Sequence, residues 1–449
     1  MNKPVTNQGL EDLLAEAAYD RSHAAFARQV NAAGARDHGL ILRYDGASVY
    51  WWLRGRRPEQ PGPELIATVL SARLHRQVNV AELGFAGRDG ERDGLLFPAT
   101  VPEAVETASA LWRRFGRRGR PATVAPFVTA AAIETGWRWH FDPPDSSIAR
   151  AAGRRVTGMD VEMLRGCFDQ FLELDRRHGG GHARTFLADF LTRDVAPLLR
   201  GSYTDPVGRD LFAVAAELTG MAGFMSYDIS EQGAAQRAFI QALRLSKASG
   251  DRTYGAHILA NLATQAVFLD LPGEAVRLAR AAIDGAGRRP VASVSARLLS
   301  SQATAHAVAG DLQAFRTAIG KAEHALNRAD ETGPSWAGYF SPAHLAGSAM
   351  RSLLDLGRPE EALTFREQVM DLAPGNARTR ALHTALTATA YARAGHVDAA
   401  AHLALEALAL AQRIRSERVQ ARITLLASTL APHRPVPEVA AFLEQAVGP

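Results

Sequence analysis

A pair of amphipathic helical patterns, joined by a short polar turn, recurs along the second half of this chain. That recurrence constrains the fold more than any other feature. The first pair is clearest over Glu217–Asp251, where two apolar-periodic stretches face each other across a turn at Ile229–Gln232. Further pairs follow: Asn261–Phe268 with Glu274–Ile283, Leu298–Val308 with Ala314–Leu326, Ala346–Leu356 with Glu360–Leu372, and Leu382–Ala394 with Ala399–Ile414. The small residue opening each second helix is Ala235, Ala275, Ala314, Ala362 and Ala400. These alanines return at intervals of about forty residues, a helical-repeat period. Gly310, Gly357 and Gly395 stand where each first helix must end in a left-handed turn.

Gly223, Ala235, Phe239 and Ala242 also carry the small–large–small spacing of a tetratricopeptide (TPR) hairpin, without its usual first-helix Trp and closing Pro. Each helix pair has an apolar face that it cannot bury alone, so neighbours must stack into one continuous core. The expectation is a TPR-like α-solenoid with a concave groove, an architecture for holding partners.

A chain of 449 residues is too long for one compact core. Its composition, 47% hydrophobic but only 7% aromatic, fits an all-α soluble protein. Three segments are expected: a helix-turn-helix bundle over 1–84, a linker with a helical part over 85–155, and the solenoid over 156–449. The single cysteine, Cys167, excludes an internal disulfide and points to a reducing compartment. No secretory signal or membrane-spanning apolar run is visible, so the expected location is the cytoplasm. A net charge of +4 permits nucleic-acid binding without arguing for it.

The N-terminal segment carries the second informative pattern. A short helix around Leu13–Ala18 and a second, capped by Ser22, precede a loop over Gly34–Gly46. The stretch Ala47–Arg54 then reads as a recognition helix, with Val49, Trp52 and Leu53 inward and Gly55 ending it. Pro63–Leu74 would close the bundle. In a helix-turn-helix module this places Ala47, Ser48, Tyr50 and Trp51 towards base edges. Arg54, Arg56 and Arg57 would neutralise phosphates, and Arg43 joins them as a candidate DNA contact. Adjacent aromatics such as Tyr50 and Trp51 equally suit a dimer or domain contact.

Between the modules, Gly87–Gly94 reads as a hinge, Pro102–Phe115 as an amphipathic helix, and Arg113–Arg120 as a basic run. Val124–Ala132 and Trp137–Phe141 could form short helices or a small β element. Asp175, His178 and His182 invite a metal reading, but Gly179–Gly181 prevents one helix from presenting both imidazoles. The same glycines with Arg184 could instead receive an anion, or simply turn the chain. Cys167, between Leu164 and Phe168, reads as inert core. No nucleophile elbow, phosphate-binding loop or metal-binding cluster is found, so neither an enzyme nor a cofactor is expected. On the groove side, Asn261 could satisfy an extended peptide with donor and acceptor together, and Tyr227, Thr264 and His306 fall at comparable offsets.

The strings Asp37–Leu40, Leu42–Asp45, Ser48-Val49, Trp52–Gly55, Arg57-Pro58 and Pro63–Ala67 resemble the N-terminal part of actinobacterial Nsd-type negative regulators of sporulation and antibiotic production. The resemblance continues through Gly179–Arg184, Ala196–Gly201, Val207–Arg209, Ala235–Arg237, Phe239–Leu243 and Asp355–Gly357, and covers nearly the whole chain. It implies a cytoplasmic transcriptional regulator with a helix-turn-helix head, a TPR body and no enzyme activity. The expected role is a repressor on double-stranded DNA, homodimeric because such heads need paired half-sites, with a peptide, small molecule or protein effector in the groove. Where that family carries a small residue and Arg before the recognition-helix Trp, this chain has Tyr50 and Trp51, and Ala47 replaces a capping Thr. An indole can stack or touch a thymine methyl, but cannot take a guanine as Arg does. The alternative is a TPR interaction scaffold without sequence-specific DNA binding.

Overall fold

The computed structural model describes residues 7–54, 56, 58, 61–76, 78, 80–83, 94–116, 126–287, 290–328, 333–373 and 375–447. It is all-α: among the described residues there is no strand, only isolated bridges at Arg150–Tyr203 and Arg155–Ser202. The chain divides into two compact units, residues 1–92 and 93–449.

In the first unit, α1 (Gln8–Glu16), α2 (His23–His38), α3 (Gly46–Trp52) and α4 (Gly62–Leu74) form a small bundle. Leu14, Phe26, Val30, Val49, Ile66 and Leu70 fill its centre. Asn7 caps α1 and ties its start to α3, accepting from Leu10 N–H and donating to the Trp52 carbonyl. Ser22 precedes α2 as expected, but its hydroxyl makes no cap bond; its carbonyl accepts the first helical N–H groups instead.

In the second unit, α5 (Val101–Phe115) and α6 (Thr129–Phe141) precede α7 (Gly158–His178) and α8 (Gly180–Phe190). A π-helical turn at Leu191–Val195 leads into α9 (Ala196–Leu199). Helix pairs then stack in order. They are α10 (Asp205–Asp228) with α11 (Gln232–Ser249), α12 (Arg252–Phe268) with α13 (Pro272–Gly285), and α14 (Ala292–Val308) with α15 (Leu312–Leu326). After these come α16 (Pro342–Asp355) with α17 (Pro359–Leu363), α18 (Ala377–Arg393) with α19 (Val397–Ala411), and α20 (Glu417–Leu430) with α21 (Pro437–Val447). Gly310, Gly357 and Gly395 take positive φ at the turns inside three of these pairs.

Two expectations are corrected. The fourth pair's second helix, expected over Glu360–Leu372, ends at Leu363. At Thr364, Phe365 and Arg366 the N–H groups bond three residues back, and the Thr364 hydroxyl donates to the Glu361 carbonyl, which competes with helix continuation. The 85–155 segment is not a linker throughout. Its expected hinge over Gly87–Gly94 lies outside the described residues except for Gly94, and of the basic run only Arg113–Gly116 is described. Residues 94–116 and 126–155 belong to the second unit, and residues 129–132 and 137–141 of the two expected short elements lie in one helix, α6.

A row of polar side chains on α11 binds this segment. Gln236 pairs through both amide atoms with the Val128 backbone at 2.8 and 2.7 Å. Gln241 donates to the Gly94 and Leu96 carbonyls, both at 2.7 Å. Arg244 donates to the Pro98 carbonyl and forms a bidentate pair with Asp145 at 2.9 and 3.1 Å. Trp139 of α6 then wedges between α12 and α13, where Gly255 and Gly285 leave room; a Cβ on either would collide with the indole.

The repeat stack curls until its last third meets its first helices. Arg415 N–H donates to the His178 carbonyl at 3.0 Å and Gly181 N–H donates to the Arg415 carbonyl at 3.3 Å. Arg378 of α18 pairs with Asp175 of α7 at 2.8 Å. Within this unit, therefore, the solenoid closes on itself and its concave face becomes the wall of a cavity. Among the described residues no helix is long and apolar enough to cross a membrane.

Candidate functional site

The loop before α3 fixes the exposed face of the first unit. Gly39 ends α2 in a left-handed turn, and Asn31 then clamps the Tyr44 backbone, donating to its carbonyl at 2.8 Å and accepting its N–H at 3.0 Å. Asp45 caps α3: its carboxylate accepts Ser48 N–H at 2.8 Å, and the Ser48 hydroxyl accepts Asp45 N–H. The Ser48 N–H, and then the Ser48 hydroxyl donating to the same carboxylate, hold the Asp45 carboxyl below its ordinary pKa. With Val49 and Trp52 buried, α3 leaves Tyr50 and Trp51 outward, 36% and 46% exposed, with their rings edge to face.

Of the sequence candidates on this face, Arg43 and Arg56 are exposed. Arg54 folds back, its guanidinium 3.4 Å over the Tyr50 ring and bonded to the Tyr50 carbonyl. Ser48 is a correction, because its hydroxyl is engaged in the cap and does not point free to a base edge. Arg57 lies outside the described residues.

In the second unit, the first helices of successive pairs line a cavity of about 290 Å³. Tyr227, Asn261 and Thr264 all reach it. His306 does not, which corrects its placement. It follows Thr304, which does face the cavity, by two residues, so it points about 200° away around α14. It lies instead in a separate shallow recess with Gln302, Asp311 and Lys321.

Asn261 also works differently from expectation. Its Oδ1 accepts from Arg297 at 3.0 Å and its Nδ2 faces His257 Nε2 at 3.1 Å, so the amide holds a cavity arginine rather than waiting for a peptide. Arg297 also donates to the Tyr339 hydroxyl at 3.0 Å. Trp336 stacks beside His257 at 4.7 Å and edge-on to Tyr254 at 5.2 Å.

Burial, followed by Arg297, drives the His257 pKa well below its ordinary value. Burial, then His383 and nearby arginines, brings His344 down to about 3, and burial lowers His383. Burial, with Asp251 and Asp169 near, pushes Glu217 up to about 8. At neutral pH the wall therefore holds neutral imidazoles and a protonated Glu217.

Asp228, the last residue of α10, organises the closure of the ring. Its carboxylate accepts Gly180 N–H at 3.0 Å and the Ser416 hydroxyl at 2.9 Å, and lies 3.6 Å from both Arg378 and Arg418. The glycine turn considered for an external anion is thus served by an internal carboxylate, and Arg184 is paired with Glu231 at 2.7 Å. Asp175 of the metal reading is held by Arg378. Among the described residues no group of three or more His, Cys, Asp or Glu is placed to hold a metal ion. Burial would strip the proton from Arg378, but Asp175 and Asp228 outweigh it and push the guanidinium pKa above its ordinary value. The long-range partners in this closure carry no local sequence signal.

A family model described as the SP15 N-terminal domain matches residues 10–86, a span within the first unit. No curated protein matches the chain.

Proposed function

We propose that the chain is a DNA-binding transcriptional regulator whose helical-repeat unit senses a ligand. The observation that carries this reading is α3: a short capped helix, held from behind by Asn31 and the Trp52 side chain, presenting Tyr50 and Trp51 with Arg43, Arg54 and Arg56 around them. Arginines would track phosphates, and the aromatic rings would read shape and thymine methyls. The resemblance to Nsd-type regulators points to a cytoplasmic repressor of development or secondary metabolism. It would act as a homodimer, because paired half-sites suit such modules. A ligand in the cavity can alter DNA affinity only by binding the DNA-competent state with a different affinity.

The exposed Tyr50–Trp51 pair also favours a second reading, a protein contact on an interaction scaffold. Titration of the full chain with duplex DNA separates the two. With about three phosphate contacts per head and two heads in the homodimer, log K should fall with log salt at a slope of about −5, and Arg43→Ala should reduce that slope by about 2. Failure to bind duplex DNA at low salt would leave the scaffold reading.

A further inference from the structure

Six arginines line the cavity: Arg176, Arg297, Arg351, Arg378, Arg418 and Arg422. Three have carboxylate partners. Arg378 has Asp175 and Asp228, Arg418 has Asp228, and Arg351 has Asp355 at 3.5 Å. Arg297 has only neutral partners, in Asn261, Thr264 and Tyr339. Among the described residues, Arg176 and Arg422 have no hydrogen-bond or ion-pair partner. The remaining acid on the wall, Glu217, is protonated until about pH 8 and cancels none of this charge. Burial, and Arg351 beside it, lower Arg422 to about 10 against the opposing pull of Asp355, which still leaves it charged at neutral pH.

A partly buried cation with no carboxylate in ion-pair contact is costly, and three around one cavity make a site that an anion would complete. Polar atoms on the same wall also lack hydrogen-bond partners among the described residues: the Tyr227 hydroxyl and His257 Nδ1. Between the arginines the wall is aromatic, with Phe224, Tyr254, Trp336 and Phe340. A volume of about 290 Å³ lies at the small end of ligand pockets and suits a small molecule rather than a protein segment.

We propose that this cavity binds a small organic anion, an aromatic or apolar body carrying a carboxylate or phosphate, with Arg176, Arg297 and Arg422 as the charges that receive its head group. The inference rests on the cavity being the regulator's ligand site, but not on DNA binding. The guanidiniums supply charge-assisted hydrogen bonds to the head group, and the aromatic wall covers the body. A neutral analogue would leave the arginines uncompensated, and a cation would be repelled.

The test is calorimetric titration of the full chain, without DNA, with 4-phenylbutyrate, indole-3-acetate and phenyl phosphate. Each is set against its neutral counterpart: 4-phenylbutanol, indole-3-ethanol and phenol. At least one anion is expected to bind saturably, at least tenfold tighter than its neutral counterpart, and to quench Trp336 fluorescence. A preference for phenyl phosphate or for the carboxylates identifies the head group. Arg422→Gln should weaken that anion tenfold or more while leaving the melting temperature unchanged or raised, since an unpaired charge is removed; Arg297→Gln should also weaken it. Equal binding of neutral analogues, undiminished binding by Arg422→Gln, no saturable anion, or binding of pentaglutamate but no small anion would each overturn the proposal. DNA binding is measured separately, so its loss would overturn the function proposed above and leave the anion site standing.

Discussion

Asp228→Ala should destabilise the second unit by about 3–5 kcal/mol, the cost of breaking a buried ion pair from one side. The carboxylate is fully buried and serves Gly180 N–H, the Ser416 hydroxyl, Arg378 and Arg418. Removing it leaves a backbone N–H and a hydroxyl without their acceptor. It also leaves Arg378 with Asp175 alone. The same change at Asp355, whose ion pair with Arg351 is half-exposed, should cost only about 0–1 kcal/mol. Urea unfolding of both variants checks the contrast. Hydrogen exchange should show faster opening at 178–181 and 415–416 in Asp228→Ala. Equal, small losses in the two variants would mean that the closure is not held by this carboxylate.

The second large effect is on acid stability. His257, His344 and His383 are neutral in the fold, with pKa values below the ordinary 6.5, and become free to take a proton only on unfolding. Their contribution is present above about pH 6.5 and is lost as pH falls towards the folded values. Glu217 has the opposite sign: with its pKa raised from 4.5 to about 8, its contribution is complete at low pH and lost as pH rises through about 8. Between about pH 6.5 and 5, His344 costs about 1.5 kcal/mol and Glu217 returns about that amount, while His257 and His383 act in the same direction as His344, so a net loss remains. Above about pH 6.5 only Glu217 among these groups acts, so stability should be highest near there. Urea unfolding at the two pH values measures this, and His344→Gln should lessen the loss by about 1.5 kcal/mol. A flat profile, or an unchanged loss in the variant, would place these imidazoles in water.

What the sequence made legible was local. The alternation of small and large residues through Gly223, Ala235, Phe239 and Ala242 marks where α10 and α11 touch, and all four are buried. What stayed hidden was satisfied from far away. Gln236, Gln241 and Arg244 look like a solvated helix face, yet they are buried because carbonyls more than a hundred residues earlier accept from them. No helical period distinguishes that from exposure. Asp175 and Arg378, 203 residues apart, likewise gave no sign that the solenoid closes into a cavity. Hence Tyr227, Asn261 and Thr264 could be placed on the concave side, while the arginines that give the cavity its charge could not.

The most direct measurement of the central claim is selection of bound sequences from a random duplex library by the full chain, run beside Trp51→Ala. The expected result is an enriched two-fold-related motif, its half-sites about one helical turn apart. In the variant the motif should blur while salt-sensitive, non-specific binding persists. Absence of any enriched sequence, or the same motif in the variant, would contradict reading of DNA by α3.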